Sequence, residues 1–185
     1  MKDRKLTAAE MGRISPEEYR SRNASGTVVV LDNVRSAYNV GSAFRSADAF
    51  GAGRVYLCGI CAVPPSAEIH KTALGAEDAV PWRHFASTLE AVESLKAEGY
   101  TVVAVEQTEN SVKLAAAGVA PTAAASTKYA FIFGNEVEGV GQEVVDACDF
   151  SLEIPQHGTK HSLNVSVTVG IVLFAFSACP SVISN

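Results

Sequence analysis

A chain of 185 residues fits one domain, and a hydrophobic content of 48% is ample for a core of that size. The formal net charge of −5 is unfavourable for an RNA partner, because phosphate contacts favour basic surfaces. The longest apolar stretch, residues 165–178, is shorter than the roughly 20 residues that span a bilayer, and the first residues hold no apolar signal segment. We therefore expect a cytoplasmic protein with no membrane partner.

The charge is unevenly distributed along the chain. Residues 1–45 hold eight Lys and Arg against five Asp and Glu, a balance of +3, whereas the rest holds seven against fifteen, a balance of −8. Within the basic part, Thr7–Glu10 and Ser15–Glu18 carry the spacing of helix N-caps. We therefore expect residues 1–26 to form a short basic helical extension ahead of a main domain at 27–185. Its basic side chains are either a solvated face or a contact for RNA.

Runs rich in β-branched residues predict strands, and helix signals lie between them. This alternation of short strands and helices predicts an α/β domain with a mainly parallel sheet and helices on both faces. The five predicted strands are Thr27–Leu31, Arg54–Gly59, Thr101–Glu106, Lys128–Phe133 and Phe150–Ile154.

Two of the helices between these strands are predicted from their end signals. Asn39 is placed to cap a helix over Val40–Phe50. Ser87–Glu90 is a capping box that opens a helix running to Glu98. The Ala-rich segment Ala115–Thr127 is interrupted by glycine and proline, and it is predicted to be a surface connection.

Three common kinds of site are not supported by the residue spacing. Cys58 and Cys61 have the spacing of a redox or zinc pair, but no second pair completes it, so buried reduced thiols are expected. His157 and His161 lie four residues apart in a loop with no third ligand beside them, and we expect no metal site. A dinucleotide-binding domain needs G-x-G-x-x-G directly after a strand, and no such sequence follows Leu31.

Three glycine-containing polar segments adjoin apolar runs, at Asn33–Arg45, Phe131–Val140 and Ile154–Val167. In the third segment, a loop with exposed backbone groups meets a stretch that must be buried, which suits a small molecule held by main chain at the edge of a core. In this order the segments resemble the three motifs of the SpoU (TrmH-like) RNA 2′-O-methyltransferases of the SPOUT superfamily. The resemblance covers roughly residues 28–178, most of the chain.

The resemblance implies a fold, a cofactor and partners that composition does not show. It implies a C-terminal trefoil knot, S-adenosylmethionine as the methyl donor held in the knotted loops, and no metal. It implies methyl transfer to a ribose 2′-hydroxyl of RNA, with tRNA the first expectation, guanosine preferred, and rRNA the second. It also implies a homodimer.

The motif positions imply which residues form the site. The residues implied for catalysis are Arg45, Asn39, Glu136, Ser162 and Asn164. Those implied for the cofactor, acting mainly through backbone atoms around the adenine, are Gly134, Ile154 and Leu163, with residues 105–107 contributing. A guanidinium has a pKa of about 12 or more and is a poor base, so we expect Arg45 to hold a phosphate and polarise the hydroxyl.

Plainer interpretations of the same residues stay open. Arg45 is also explained by a surface salt bridge, and Glu136 by the dipole at a helix N-terminus. Ser162 or Asn164 is also explained by helix capping. For the whole protein, the alternatives are a knotted RNA-binding module without catalysis and, with less support, a dinucleotide-dependent oxidoreductase. One departure from the family pattern is Gln156, where many members carry Met.

The apolar segment Val165–Ala178 is compatible with a strand or a buried helix, and its length favours the helix. Apolar side chains point in all directions around that helix, so a second surface is needed to cover its outer side. We expect a C2 homodimer in which two copies of this helix pack together, and we expect a charge at Val172 to disrupt it.

Overall fold

The protein is built on one parallel β-sheet. The structure is a computed structural model that describes residues 3–7, 9–12, 14–23, 26–114, 128–160 and 162–177. Within these residues, seven strands form a sheet in the order β3-β2-β1-β6-β4-β7-β5, and every pairing is parallel. The strands are β1 Val28–Asp32, β2 Arg54–Cys58, β3 Trp82–Phe85, β4 Thr101–Val105, β5 Val112–Lys113, β6 Tyr129–Phe133 and β7 Phe150–Glu153.

Helices cover both faces of this sheet. Alternate strand residues point to opposite faces, so Val29 and Leu31 belong to one core cluster while Val28 and Val30 belong to the other. Helices α1 to α4 and α7 contribute to the first cluster, and α5 and α6 to the second. The helices are α1 Pro16–Asn23, α2 Ala37–Ala49, α3 Ala67–Ala73, α4 Ala76–Ala79, α5 Thr88–Ala97, α6 Gln142–Ala147 and α7 Val165–Ser177. The predicted parallel α/β architecture is confirmed.

Each of the five predicted strands is present, with ends shifted by at most one residue. The elements that the sequence pattern missed are β3, β5, α3, α4 and α6. Strand β3 is an edge strand with three of its four residues exposed, and β5 has two residues, so neither shows a buried apolar run. The three helices have four to seven residues, too few to establish a helical period. The predicted connection at residues 115–127 lies outside the described residues.

Helix α2 begins three residues earlier than predicted. Its N-cap is Ser36, whose Oγ accepts a hydrogen bond from the Asn39 backbone N–H at 3.3 Å. The prediction that Asn39 is the cap is therefore wrong, because the preceding serine already fills that role. Asn39 lies in the first turn of the helix, and its side chain is free to contact other parts of the molecule.

The end signals at Ser87 and Ser15 are confirmed, whereas Thr7–Glu10 begins no helix among the described residues, where residues 9–11 form a turn. At α5, Ser87 Oγ accepts from the Glu90 backbone N–H at 3.3 Å, and Gly99 follows the helix with a φ of 79°. At α1, Ser15 Oγ accepts from the Glu18 backbone N–H at 3.2 Å. This helix is anchored by Tyr19, a buried side chain whose hydroxyl lies 2.9 Å and 2.7 Å from two backbone carbonyl oxygens of the main body.

Helix α7 buries one side and exposes the other. The buried side, which faces α2 and the sheet, consists of Val165, Val169, Val172 and Leu173. On the other side, Phe174 is 61% exposed and Val167 is 49% exposed. The prediction that a charge at Val172 would disrupt a subunit contact is wrong, because this side chain is fully buried in the core of its own chain. The outward-facing apolar residues are Val167 and Phe174.

Candidate active site

A cavity of about 650 Å³ lies at the carboxyl ends of three neighbouring strands. Val105 at the end of β4, Phe133 at the end of β6 and Leu152 in β7 line its floor. Two segments form its walls, residues 134–141 after β6 and the described residues 154–160 and 162–164 before α7. Ligands in parallel α/β sheets bind at this edge, because the loops that follow the strands converge there.

The first of these loops is a compact turn that leaves no room for a side chain at Gly134. Asn135 and Gly139 exchange two backbone hydrogen bonds of 3.2 Å and 3.1 Å. A Cβ on Gly134 would lie 1.9 Å from the Gly139 carbonyl carbon. Asn135 Oδ1 accepts from the backbone N–H groups of Val137 and Glu138 at 3.0 Å and 2.9 Å, which closes the turn from within.

Glu106 fixes this loop to the end of β4. One carboxylate oxygen accepts from the Val140 backbone N–H at 3.1 Å, and the other from the Gln107 N–H at 2.8 Å. The sequence indicated that residues 105–107 contribute to the site, but it did not identify the carboxylate as the group that holds the neighbouring loop. The sequence feature that could have identified this role is an acidic residue directly after a buried strand.

Asp32 was missed by the sequence reasoning, although it organises the same edge of the sheet. It is 4% exposed at the end of β1. Its Oδ1 accepts from Thr88 Oγ1 at 2.5 Å and from Asn33 Nδ2 at 2.9 Å, and its Oδ2 accepts from the Gly141 N–H at 3.2 Å. Asp32 therefore joins β1, the start of α5 and the end of the 134–141 loop. The sequence feature that could have identified Asp32 is an acidic residue directly at the end of a buried apolar run.

Three of the predicted catalytic residues form one hydrogen-bonded row. The Asn39 amide donates to Glu136 Oε1, and Asn164 Nδ2 donates to Asn39 Oδ1 at 3.2 Å. Asn164 Oδ1 accepts from the Ser166 backbone N–H at 2.9 Å and from Ser166 Oγ at 2.6 Å. Asn164 thus caps α7 with its oxygen and contacts Asn39 with its nitrogen, so the capping interpretation and the site interpretation both hold.

Two cavities contain the predicted site residues apart from Asn39, which lines neither of them. Those that line the first cavity are Gly134, Glu136, Ile154, Ser162, Leu163 and Asn164. Arg45 lies instead in a second, open cleft of about 450 Å³ between α2, α3 and the start of α7. Its side chain is exposed, and it makes no ion pair with any carboxylate in the described ranges. The surface salt-bridge interpretation of Arg45 is thus not supported.

The two cavities carry opposite charge. Four glutamates line the first, Glu106, Glu136, Glu138 and Glu153, and its described lining residues include no Lys, Arg or His. Of the four, Glu153 is paired with Lys113 at 2.6 Å. Arg45 and Lys71 line the second, whose described lining residues include no Asp or Glu. The first cavity therefore favours a ligand with positive charge, and the second favours an anion.

Cys58 and Cys61 are packed as structural thiols. Cys61 Sγ lies 3.3 Å from the Leu31 carbonyl oxygen and 3.2 Å from the Val34 nitrogen, within hydrogen-bonding distance of both. Burial raises the pKa of Cys61 to about 11 and that of Cys58 to about 12. No group of three or more His, Cys, Asp or Glu side chains is placed to hold a metal ion in the described part of the chain, where His161 is not included.

The described helices also include none that is long and apolar enough to cross a membrane.

Comparison with known proteins gives a consistent set of relatives. The profile of the SpoU rRNA Methylase family matches residues 26–174. The 23S rRNA (guanosine-2′-O-)-methyltransferase RlmB of Nitrosomonas europaea is 35% identical over 151 residues, which make up 80% of this chain and 54% of that protein. The chain thus spans little more than half the length of this relative.

Solved structures share the fold. The AdoMet-bound rRNA methyltransferase from Sinorhizobium meliloti superposes with a TM-score of 0.74 at 31% identity, covering 90% of this chain and 61% of that one. The TrmH/SpoU tRNA modifying enzyme of A. aeolicus has a TM-score of 0.71 at 24% identity, covering 88% of this chain and 83% of that one. The second likeness is one of fold alone.

Proposed function

The chain belongs to the SpoU rRNA methylase family, and on that basis we propose that it transfers a methyl group from S-adenosylmethionine to a ribose 2′-hydroxyl of RNA. The observation that carries the proposal is the row Glu136–Asn39–Asn164, which runs from the rim of an acidic cavity towards a basic cleft. A cationic small molecule and a polyanion have separate places on the two sides of this row.

The first cavity suits the methyl donor in size and charge. Its volume of about 650 Å³ lies within the range of small-molecule pockets. S-adenosylmethionine carries a sulfonium and an ammonium against one carboxylate, and four glutamates line the cavity. Gly134, Ile154 and Leu163 would hold it mainly through backbone atoms. The donor supplies an activated methyl group, and a Rossmann-type glycine motif is not required.

The residues of the row and the cleft would position the RNA. Asn39, held between Glu136 and Asn164, presents a fixed amide at the place where the ribose would lie, and Ser162 lines the same wall. Arg45 would hold a phosphate and polarise the hydroxyl, since it faces the open cleft without a carboxylate partner among the described residues. Fixing the hydroxyl in line with the methyl group is itself a large contribution to rate.

The proposal includes the knotted path and the dimer of the family. The solved relatives share the parallel fold, and two segments that would take part in the knot line one cavity, residues 134–141 and the described residues of 154–160 and 162–164. The exposed apolar side of α7, with Val167 and Phe174, supports a homodimer formed through this helix. Residues 27–185 are proposed as the catalytic domain.

Methyl transfer to isolated RNA tests the proposal. Purified protein is incubated with S-adenosylmethionine labelled in its methyl group and with RNA from a strain that lacks the gene. We expect label in a nucleoside that carries the methyl on its ribose, identified by mass spectrometry after digestion. Label on a base would contradict the ribose assignment. No transfer to any RNA, with S-adenosylmethionine and RNA both bound, would instead favour a binding module without catalysis.

The class of RNA is tested in the same assay. The motifs led us to expect tRNA with guanosine preferred, whereas the Nitrosomonas relative is named for guanosine in 23S rRNA. Total tRNA and ribosomal RNA therefore enter as separate substrates, and the nucleoside analysis reports guanosine directly. Transfer to tRNA alone would support the motif-based expectation, and transfer to rRNA alone would contradict it.

A further inference from the structure

The second cleft contains a cation that none of the three motifs includes. Lys71 lies in the last turn of α3 and shares the cleft with Arg45 of α2. Both side chains are exposed, and no ion pair joins either of them to a carboxylate in the portion of the chain that is described. Two unneutralised cations in one cleft are notable in a chain with a net charge of −5.

Four hydroxyl groups line the cleft, and three of them, on Ser42, Thr72 and Ser166, already donate hydrogen bonds within the protein, which leaves that of Ser46. Ser42 Oγ and Thr72 Oγ1 each donate to the Tyr38 carbonyl oxygen at 2.9 Å. Ser166 Oγ donates to Asn164 Oδ1 at 2.6 Å. The hydrogen-bond donors left for a ligand are chiefly the guanidinium and the ammonium, so the cleft selects an anion that accepts charge-assisted hydrogen bonds.

An exposed aromatic ring lies beside Lys71 at the edge of the cleft. Tyr38 is 47% exposed and lies one helical turn before Ser42. The Lys71 ammonium is 6.0 Å from the centre of its ring. An exposed ring beside cations is the combination with which proteins hold single-stranded RNA, because bases stack on the ring while the cations contact phosphate.

The cleft is connected to the first cavity through side chains. Ser166 in the cleft bonds to Asn164, which bonds to Asn39 and through it to Glu136 at the cavity rim. A phosphate in the cleft would thus lie at one end of this row, and the methyl donor at the other. The nucleotide between them is the one whose ribose faces the row.

We propose that Lys71 and Arg45 together bind a phosphate of the substrate RNA, and that Tyr38 stacks on an unpaired base beside that phosphate. This inference rests on the proposed function, and it adds Lys71 and Tyr38 to the residues that recognise the substrate. It also specifies the form of the substrate, because a base must be unpaired to stack on an aromatic side chain.

Substitutions at Lys71 test the phosphate contact. Binding of a fluorescent single-stranded oligoribonucleotide is measured by anisotropy over a range of salt concentrations for the wild type, Lys71→Gln and Lys71→Arg. We expect Lys71→Gln to weaken binding about tenfold and to reduce the slope of log affinity against log salt by about 0.7. Lys71→Arg should restore both. The affinity for S-adenosylmethionine, measured by calorimetry, should stay the same in each variant and shows that the protein is folded.

The matched control is Lys96→Gln, which removes one exposed lysine from α5 on the opposite face of the sheet. A Lys71→Gln protein with the affinity and salt slope of this control would overturn the phosphate contact. For the ring, Tyr38→Leu should weaken binding without changing the salt slope, and Tyr38→Phe should bind as the wild type does. Equal affinities of Tyr38→Leu and the wild type would overturn the stacking.

The binding assay also separates this inference from the proposed function. If Lys71→Gln changes the slope of log affinity against log salt for the oligoribonucleotide, RNA binding in the cleft is supported even when no methyl group is transferred. In that case only the proposed methyl transfer fails. Methyl transfer that is unaffected in Lys71→Gln, in both KM for RNA and kcat, would overturn the inference and leave the proposed function in place.

Discussion

Arg45 differs from the other proposed catalytic residues in the cavity that it faces. It lines the basic cleft, whereas Glu136 and Asn164 line the acidic cavity. We expect Arg45→Ala to lower kcat for methyl transfer by about 100-fold or more, the effect of losing one preorganised donor near a developing charge. The affinity for S-adenosylmethionine should remain within about threefold. Single-turnover methyl transfer and calorimetry measure the two quantities.

The control for this prediction is Arg83→Ala, an exposed arginine on the edge strand β3, where it packs over the Phe85 ring. Its methyl transfer is expected to match the wild type. If Arg45→Ala turned over at nearly the normal rate, Arg45 would have no part in the mechanism.

The thiols of Cys58 and Cys61 are expected to be unreactive in the folded protein. Burial raises their pKa values to about 12 and about 11, so both stay protonated at neutral pH, and the thiolate is the form that reacts. A thiol reagent should label both only after unfolding in urea, as mapped by mass spectrometry. Rapid labelling of either one in the native protein would contradict the prediction.

The same pKa values predict how the stability of the folded protein changes with pH. A thiol whose pKa is higher in the folded than in the unfolded state stabilises the fold below the unfolded value, 9.0, where both states are protonated. That contribution is lost as the pH rises from there through the folded-state values. The urea midpoint should therefore fall steadily above pH 9.0, and less steeply in Cys58→Ser.

At the scale of elements, the close approach of α2 and α3 positions the basic cleft. Gly41 faces α3, and a Cβ there would lie 2.3 Å from the Ile69 carbonyl oxygen and 2.2 Å from Thr72 Oγ1. A backbone carbonyl cannot move aside as a flexible side chain can. The absence of a side chain at Gly41 thus allows Arg45 on one helix and Lys71 on the other to share a cleft.

We expect Gly41→Ala to lower the free energy of unfolding by about 1–3 kcal/mol, because the added methyl group forces the two helices apart. Gly158→Ala is the matched control, since a Cβ at that position meets nothing within 4 Å. It should leave stability unchanged or raise it by about 0.4–1 kcal/mol. Urea unfolding of both variants measures the difference, and equal midpoints would show that α2 and α3 repack without strain.

At the scale of the whole molecule, the exposed apolar side of α7 is the surface that a second subunit would cover. Phe174 is 61% exposed and packs edge-on against Phe50 of α2 at 5.9 Å between ring centres. It lies seven residues beyond Val167, about 10 Å along the helix axis. Val167 and Phe50 both line the basic cleft, so a dimer contact centred on Phe174 borders that cleft.

We expect Phe174→Glu to dissociate the proposed homodimer, because an unpaired charge buried in an interface costs about 3–5 kcal/mol. Ile60→Glu is the control, since it places the same charge at an equally exposed apolar side chain far along the chain from α7. Sedimentation velocity measures the mass of each. A wild-type protein that sediments as an active monomer would contradict the dimer, and so would a Phe174→Glu protein that stays dimeric.

The sequence by itself determined the parallel α/β class, the five longer strands in chain order and the family. Runs of β-branched residues predict strands because each strand is buried on both faces of a parallel sheet, and the capping boxes at Ser15 and Ser87 mark helix starts because they act within four residues. The motif residues were identified differently, from the resemblance of three short segments to a known family.

Only the tertiary structure decided how those residues are grouped. Asn39, Glu136 and Asn164 meet although 97 and 125 residues separate the pairs, because the loops after parallel strands converge at one edge. Arg45 lies only six residues after Asn39, but six helical residues rotate a side chain by about 240°, so it faces the other cavity. The buried side of α7 was equally undetermined, because a helix that is apolar all round has no pattern to orient it, and only its packing against the sheet does so.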